Sequence, residues 1–278
     1  MNARLSRHAR LIALGAAASA TAVAGTASAY HDDEQRWTQH TANVVRPTEV
    51  ELGVLAADVG LHPGAQVGTD TLPWAAGLFL PVVVPNAHIK VNPLPESPVS
   101  VALRGAIYYA PVLKDDGTRA NVFVLPVSLF GSFEVTRKLG IHVEGQYTFL
   151  TGTGEAQPDQ LAIAGGAASA ALQFGAMAMV RITRVVAVYG RGRWQAWQQA
   201  PRVDATTTVD QYTSASTEAN IKTTYADGAW QAIGGVAMSW ASANLELGVG
   251  YGDAFLPGWG VVVPYKGVIP DANLFFRF

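Results

Sequence analysis

"PDANLFFRF", residues 270–278, closes the chain. Ala272, Leu274, Phe276 and Phe278 occupy every second position, the spacing that sets side chains on one face of a β-strand. Chain ends are ordinarily polar and frayed. An alternating apolar end needs an apolar surrounding on one side, so this stretch raises the question of what the strand lies against.

The same period of two recurs upstream. In "GIHVEGQYTFL" (140–150), Ile141, Val143, Tyr147 and Phe149 share a face opposite His142, Glu144, Gln146 and Thr148. In "NLELGVGYGD" (244–253), Leu245, Leu247, Val249 and Tyr251 alternate with Asn244, Glu246 and Gly248, Gly250 and Gly252. "VSVALRGAIYY" (99–109) and "VVAVYGRGRWQAW" (185–197) read alike, with Arg104, Tyr189, Arg191 and Arg193 on the polar faces. Strands of about ten residues can cross the hydrocarbon of a bilayer at a tilt.

Composition points the same way. Hydrophobic residues make up 49 % of the chain and charged ones only 14 %, lean beside the roughly 25 % charge of soluble domains. The front, "MNARLSRHARLIALGAAASATAVAGTASA", carries Arg4, Arg7 and Arg10, an apolar run, and Ala27-Ser28-Ala29, the pattern of a cleaved export signal over residues 1–29. Removing its three arginines takes 19 basic residues to 16 against 21 acidic ones, so the net charge moves from -2 to about -5. Nothing in that balance suggests nucleic acid as a partner. There is no cysteine, which excludes a disulfide framework and a lipoprotein anchor.

The expected architecture is all-β: a transmembrane, antiparallel up-and-down barrel over residues 48–278, with short periplasmic turns and longer extracellular loops. Strands are expected near 49–58, 74–84, 99–110, 121–134, 140–150, 168–181, 185–197, 229–240, 244–255 and 269–278. That makes ten, with eight or twelve as alternatives, since the 74–98 segment alternates poorly and carries Pro81 and Pro85. Long polar loops are expected at 150–167, 198–228 and 256–268. Residues 30–47 are expected as an exposed, polar periplasmic extension. Two aromatic belts should mark the lipid interfaces: Tyr109, Phe149, Trp194, Trp230 and Tyr251 at one rim, Phe133, Trp240 and Phe278 at the other.

The C-terminal segment resembles the terminal strand of Gram-negative outer-membrane β-barrel proteins, which ends in Phe after alternating apolar residues. Leu274, Phe276 and Phe278 match that pattern; Phe275, on the opposite face, departs from it. The resemblance is to a superfamily and matches no particular member. It implies export across the inner membrane, recognition of this ending by the barrel assembly machinery, and residence in the bacterial outer membrane among its lipid and lipopolysaccharide.

Chemistry-bearing motifs are sparse. The chain has no G-x-S-x-G elbow, P-loop, HExxH or G-x-G-x-x-G. Outer-membrane phospholipases use a Ser two residues after a strand His, where this chain has Glu144 after His142. Omptin-type proteases use acidic pairs and an Asp-x-His; Asp115-Asp116 is present without the latter. No catalytic residue, cofactor or metal site is therefore expected, although His31, Asp32, Asp33 and His40 are metal-capable types. The polar strand faces instead gather Glu51, Arg104, Glu134, His142, Glu144, Arg181, Arg191, Arg193, Glu246 and Arg277 in the lumen, because charge avoids lipid. Two expectations follow for function. One is a narrow channel or plugged structural barrel, with Arg191 and Arg193 facing Glu144 and Glu246 beside a wall kept open by Gly248, Gly250 and Gly252. The alternative is surface recognition of an unidentified extracellular ligand through residues 198–228, with an outer-membrane hydrolase ranked below both.

Overall fold

A computed structural model of the chain describes residues 37–76, 83–95, 97–113, 119–156, 161–209, 213–220, 228–240, 242–256 and 258–278. Successive strands are β1 (Val50–Gly53), β2 (Ala56–His62), β3 (Ala65–Asp70), β4 (Asn86–Val91), β5 (Val99–Leu113), β6 (Arg119–Glu134) and β7 (Leu139–Ala156). They continue as β8 (Leu161–Arg181), β9 (Val186–Val209), β10 (Thr213–Asn220), β11 (Trp230–Trp240), β12 (Ala243–Leu256) and β13 (Val261–Arg277), with one short helix, α1 (Thr71–Ala76), after β3. Every strand pairing is antiparallel, and twelve strands close a ring in which β13 meets β1 and β8 meets β9. Among the described residues the thirteenth, β10, pairs only with the far end of β9, over Val209 to Arg202.

Alternation sorts the two faces. Leu103, Leu129, Val143, Val188, Leu247 and Val249 stand exposed on the outside, while Ser100, Ser128, His142, Gln146, Gln173, Gln195 and Glu246 are buried inside. An inside-out distribution of this kind is stable only where the outside is not water. Among the described residues no helix is long and apolar enough to cross a membrane; the apolar exterior belongs to the strands. Of the belt aromatics, Phe149, Trp194, Trp230, Trp240, Tyr251 and Phe278 are exposed and Tyr109 and Phe133 half-buried, and Trp194 and Trp230 are direct cross-strand partners.

From residue 99 onward the strands fall where the alternation places them, but they run longer. β8 reaches back to Leu161 and β9 continues to Val209, so much of the expected loops 150–167 and 198–228 is strand. "VDATTTV" (203–209) is rich in β-branched residues, which suit a pleated ladder even when polar. The joint between β12 and β13 likewise shrinks to residues 257–260.

The front of the barrel differs more. Where one strand was expected at 49–58, the short β1 and β2 stand instead, followed by β3, α1 and β4; residues 77–82 of the strand expected at 74–84 lie outside the described residues. Turns at Val54–Leu55 and Pro63–Gly64 cut this region into pieces of four to seven residues, too short for a ten-residue template to separate. Gly60 shows why the pieces cannot slide: a Cβ there would sit 1.7 Å from the carbonyl oxygen of Arg46, where the incoming chain crosses β2. Its own N–H donates to Glu49 O (3.0 Å) and its carbonyl accepts from Thr48 (3.1 Å). Gly60→Ala should therefore destabilise the folded barrel by about 1–3 kcal/mol, as overpacking does, read from the midpoint of urea unfolding. An unchanged midpoint would show that the crossing relaxes freely.

Residues 37–47 are the largest departure. Expected as exposed, they lie inside the lumen, with Trp37, Thr38, Thr41, Ala42, Val44 and Val45 all buried. Their composition is polar because their partners are polar lumen side chains, and a polar stretch wrapped by a polar lining looks in sequence like one wrapped by water. Residues 1–36, including the expected export signal and His31, Asp32 and Asp33, lie outside the described residues, as does Asp115-Asp116.

Candidate functional site

The lumen is occupied from both ends. From one end the plug, residues 37–47, is gripped by side chains around the ring. Lys90 Nζ donates to the carbonyls of Thr38 and Asn43 (both 2.7 Å), and Asn92 Nδ2 to that of Ala42 (2.8 Å). Ala42 N–H donates to Ser132 Oγ (2.8 Å), Val45 N–H to Gln66 Oε1 (2.8 Å), and Thr38 Oγ1 to Glu51 Oε1 (2.7 Å). Two apolar contacts add to these: Trp37, set edge-on against Phe275 at 5.4 Å between ring centres in a cluster with Ala187, Tyr189, Ile233 and Ala237, and Ala42, clustered with Ala102 and Phe130. Phe275, the departure noted in the C-terminal pattern, is thus the plug's apolar seat.

From the opposite end residues 258–260 fold inward. Trp259 packs on Tyr108 at 5.1 Å, Gln173 Nε2 donates to Gly260 O (2.7 Å), and Gln146 Nε2 to Gly258 O (3.3 Å). Gly258 and Gly260 have φ of 78° and 64°, a backbone region that favours glycine.

Between these ends runs a mixed-sign ionic network. Arg193 Nη2 donates to Glu144 Oε2 (2.6 Å), Arg191 Nη2 to Asp271 Oδ1 (2.7 Å), and Arg277 Nη2 to Glu51 Oε2 (2.8 Å). Arg104 pairs with Asp70 (2.7 Å), which also accepts from the Tyr108 hydroxyl. His88 Nε2 bonds Asp58 Oδ1 (2.6 Å) while its Nδ1 accepts from Arg104 (3.0 Å). Of the lumen residues read from sequence, Glu51, His142 and Glu246 are buried, and Arg104, Glu134, Glu144, Arg181, Arg191, Arg193 and Arg277 are half-buried. Arg193 meets Glu144, but the partner of Arg191 is Asp271, not Glu246.

Asp58, Asp70, His88, Lys90 and Asp271 escaped the sequence reading because they lie on the short strands or beside Pro270, where no long alternation marks an inward face. The glycines of β11 and β12 also carry a different role from an open wall. A Cβ at Gly235 or Gly248 would come within 2.6 Å of the Tyr189 hydroxyl; their absence of side chain lets Tyr189 lean across and donate to Asp271 (2.5 Å).

A cavity of about 210 Å³ remains between plug and wall, lined by His40, His142, Glu144, Arg191, Arg193 and Asp271 on its polar side. His40 belongs to the plug and holds φ of 58° at its turn. Burial holds its imidazole well below the usual histidine range, and Arg191, Arg193, Lys90 and Arg104 push the same way. The plug's tip therefore meets the lumen in a positive local potential, as a neutral ring.

A closed antiparallel ring with an apolar outside and a charged, occupied inside has the architecture of an outer-membrane β-barrel. No family model matches the chain, and no curated protein does. Among solved structures it is similar to the translocator domain of autotransporter NalP from Neisseria meningitidis, at 10 % identity over 82 % of this chain and 83 % of that one, with a TM-score of 0.43. It is also similar to outer-membrane expressed OmpT of Vibrio cholerae (13 % identity, 92 % and 71 % covered, TM-score 0.33) and to CdiB from Acinetobacter baumannii (8 %, 83 % and 59 %, TM-score 0.28). These likenesses stop at the outline of the barrel.

Proposed function

We propose that the chain is a non-enzymatic outer-membrane barrel whose narrow, ion-lined lumen passes small solutes when residues 37–47 withdraw, and that the plugged arrangement is its closed state. The observation that carries this reading is the manner of attachment: lumen side chains hold the plug through single hydrogen bonds to its backbone and hydroxyls. The neutral bonds each contribute only about 0.5–1.5 kcal/mol net and those that involve Lys90 or Glu51 about 1.5–3 kcal/mol, and water replaces each one as the segment leaves. Its apolar anchors are Trp37 and the smaller contact of Ala42 with Ala102 and Phe130. Lipid is the partner of the outer face, along the aromatic rims.

The absence of native cysteine makes the test clean. A disulfide joining Ala42→Cys to Ser132→Cys ties the plug to β6, since Ala42 N–H and Ser132 Oγ stand 2.8 Å apart. In a planar bilayer the oxidised protein should show no conductance steps, and reduction should bring them back. Equal conductance in both states would exclude the plug as the gate.

A second reading rests on a separate feature. β8, β9 and β10 are joined in a three-stranded ribbon over residues 161–168, 202–209 and 213–220, which continues beyond the ring on the outer side. Such a ribbon suits contact with a partner outside the cell, and shortening it without loss of conductance would separate that role from passage.

A further inference from the structure

The two ion pairs that border the cavity between plug and wall are not alike. Asp271 is engaged on both oxygens, Oδ1 accepting from Arg191 (2.7 Å) and Oδ2 from the Tyr189 hydroxyl (2.5 Å). Glu144 is engaged on one, Oε2 accepting from Arg193 (2.6 Å), and among the described residues no donor reaches its Oε1. The guanidiniums are also only part-used: each gives Nη2 to its carboxylate and keeps further N–H donors in a planar fork. Arg191 and Arg193 stand two residues apart on the inward face of β9, roughly 7 Å along the strand. Arg193 is held on a second side by the Phe255 ring, 5.9 Å from its centre.

These unused valences face the cavity. All four side chains sit in the lumen by alternation and keep part of their surface accessible, from 20 % for Arg191 down to 7 % for Asp271. None of their polar atoms is both sealed off and unbonded, so the ones without a partner look onto open space. That space is about 210 Å³, room for several waters or one small organic solute. Charge selects the class of solute. Two guanidiniums and two carboxylates sum to zero, and the smaller cavity alongside repeats the balance, with Asp58 and Asp70 against Lys90 and Arg104. A solute of net charge would leave an excess in a space poorly screened by water, where an uncompensated charge is costly. An apolar one would leave the free donors and Glu144 Oε1 without partners. A neutral molecule with an anionic and a cationic end satisfies both.

We propose that this cavity binds a small zwitterion of the α-amino acid type. Its carboxylate takes the free N–H donors of Arg191 and Arg193, and its ammonium donates to Glu144 Oε1. An α-amino acid carries its two charges close together, as Arg193 and Glu144 carry theirs in contact, so one molecule reaches both. His40, from the plug, lines the same space, and the site is complete only with the plug docked. The inference names a solute class for the passage proposed above and rests on that reading for transport; binding to the closed state does not depend on it.

The test is equilibrium dialysis of the folded protein, held in a neutral amphipol, against radiolabelled alanine. Alanine should bind saturably. N-acetylalanine, which lacks the ammonium, and alaninamide, which lacks the carboxylate, should each compete at least roughly tenfold less well than unlabelled alanine. Glu144→Gln removes the acceptor charge at nearly constant size and leaves Arg193 without its carboxylate. It should weaken alanine binding roughly tenfold or more and turn the preference toward N-acetylalanine, a reversal that a purely structural role for Glu144 would not produce. Heat-modifiable gel mobility establishes that the variant is folded, and the competition on the unaltered protein decides the matter if it is not. No saturable binding up to about 10 mM, competition by either blocked analogue as effective as by alanine, or an unchanged preference in folded Glu144→Gln would overturn the site. Conductance is not read in this experiment, so a cavity that fails to bind and a plug that fails to gate are separate results.

Discussion

Arg277→Ala should lower the folding stability of the barrel by about 3–5 kcal/mol, the cost of leaving a buried charge without its partner. Arg277 and Glu51 are direct cross-strand partners where the last strand meets the first, and their side chains bond at 2.8 Å. Glu51 is 1 % exposed; once the guanidinium is gone, Thr38 Oγ1 is its remaining donor. An exposed ion pair would contribute about 0–1 kcal/mol, so burial separates the two magnitudes. The seam concentrates the effect, because β1 offers β13 only three paired residues. Urea unfolding of the refolded protein, followed by gel mobility, reads the loss. Glu51→Leu with Arg277→Leu should recover most of it, since a buried pair replaced by apolar groups is often neutral. A loss below about 1 kcal/mol in Arg277→Ala would place the seam's stability in its backbone ladder instead.

Trp37→Ala should release the plug while leaving the ring folded. Trp37 is 4 % exposed and meets Phe275 edge-on; truncating a buried Trp removes about 3–5 kcal/mol. Here that energy belongs to docking of a segment, not to the barrel wall, whose ladders do not include residue 37. The population of undocked plug should rise by roughly two to three orders of magnitude, at about 1.4 kcal/mol per factor of ten. A single Ala42→Cys, a position fully buried at 0 % exposure, reports it: its labelling by a water-soluble maleimide should accelerate by a similar factor. Trp37→Phe should retain most of the protection. Unchanged labelling in Trp37→Ala would assign plug docking to Lys90 and its hydrogen-bonding neighbours.

These two sites mark the boundary of what the sequence discloses. Alternation reveals which residues of β5 to β9 and β11 to β13 face inward, because period two needs only one polar and one apolar medium on either side. It placed Arg277 and Glu51 in the lumen without indicating that they meet, since register between the first and last strands is a property of closure. It gave no sign of the plug. Trp37 was one aromatic in a polar stretch, and its seat, Phe275, stood out only as an irregular residue in an alternating end. The short strands stayed hidden because a strand of four residues carries two inward positions, too few to show a period. Lys90, His88 and Asp58 were lost with them. Gly235 and Gly248 were legible as small residues but not as the space for Tyr189, a relation between β11, β12 and β9 that no local spacing contains.

The seam also imposes an order of assembly. Glu51 and Arg277 are 226 positions apart in sequence, whereas β5 to β9 are joined as successive neighbours. Local hairpins carry small loop-closure entropy and can form early, while the longest-range contact is the slowest to be rewarded. The plug touches β1, β3, β4 and β6 through side-chain hydrogen bonds and not through ladders, so the seam can close without it in place. The last step of folding is the joining of two distant stretches of chain, and filling of the lumen is a separate event.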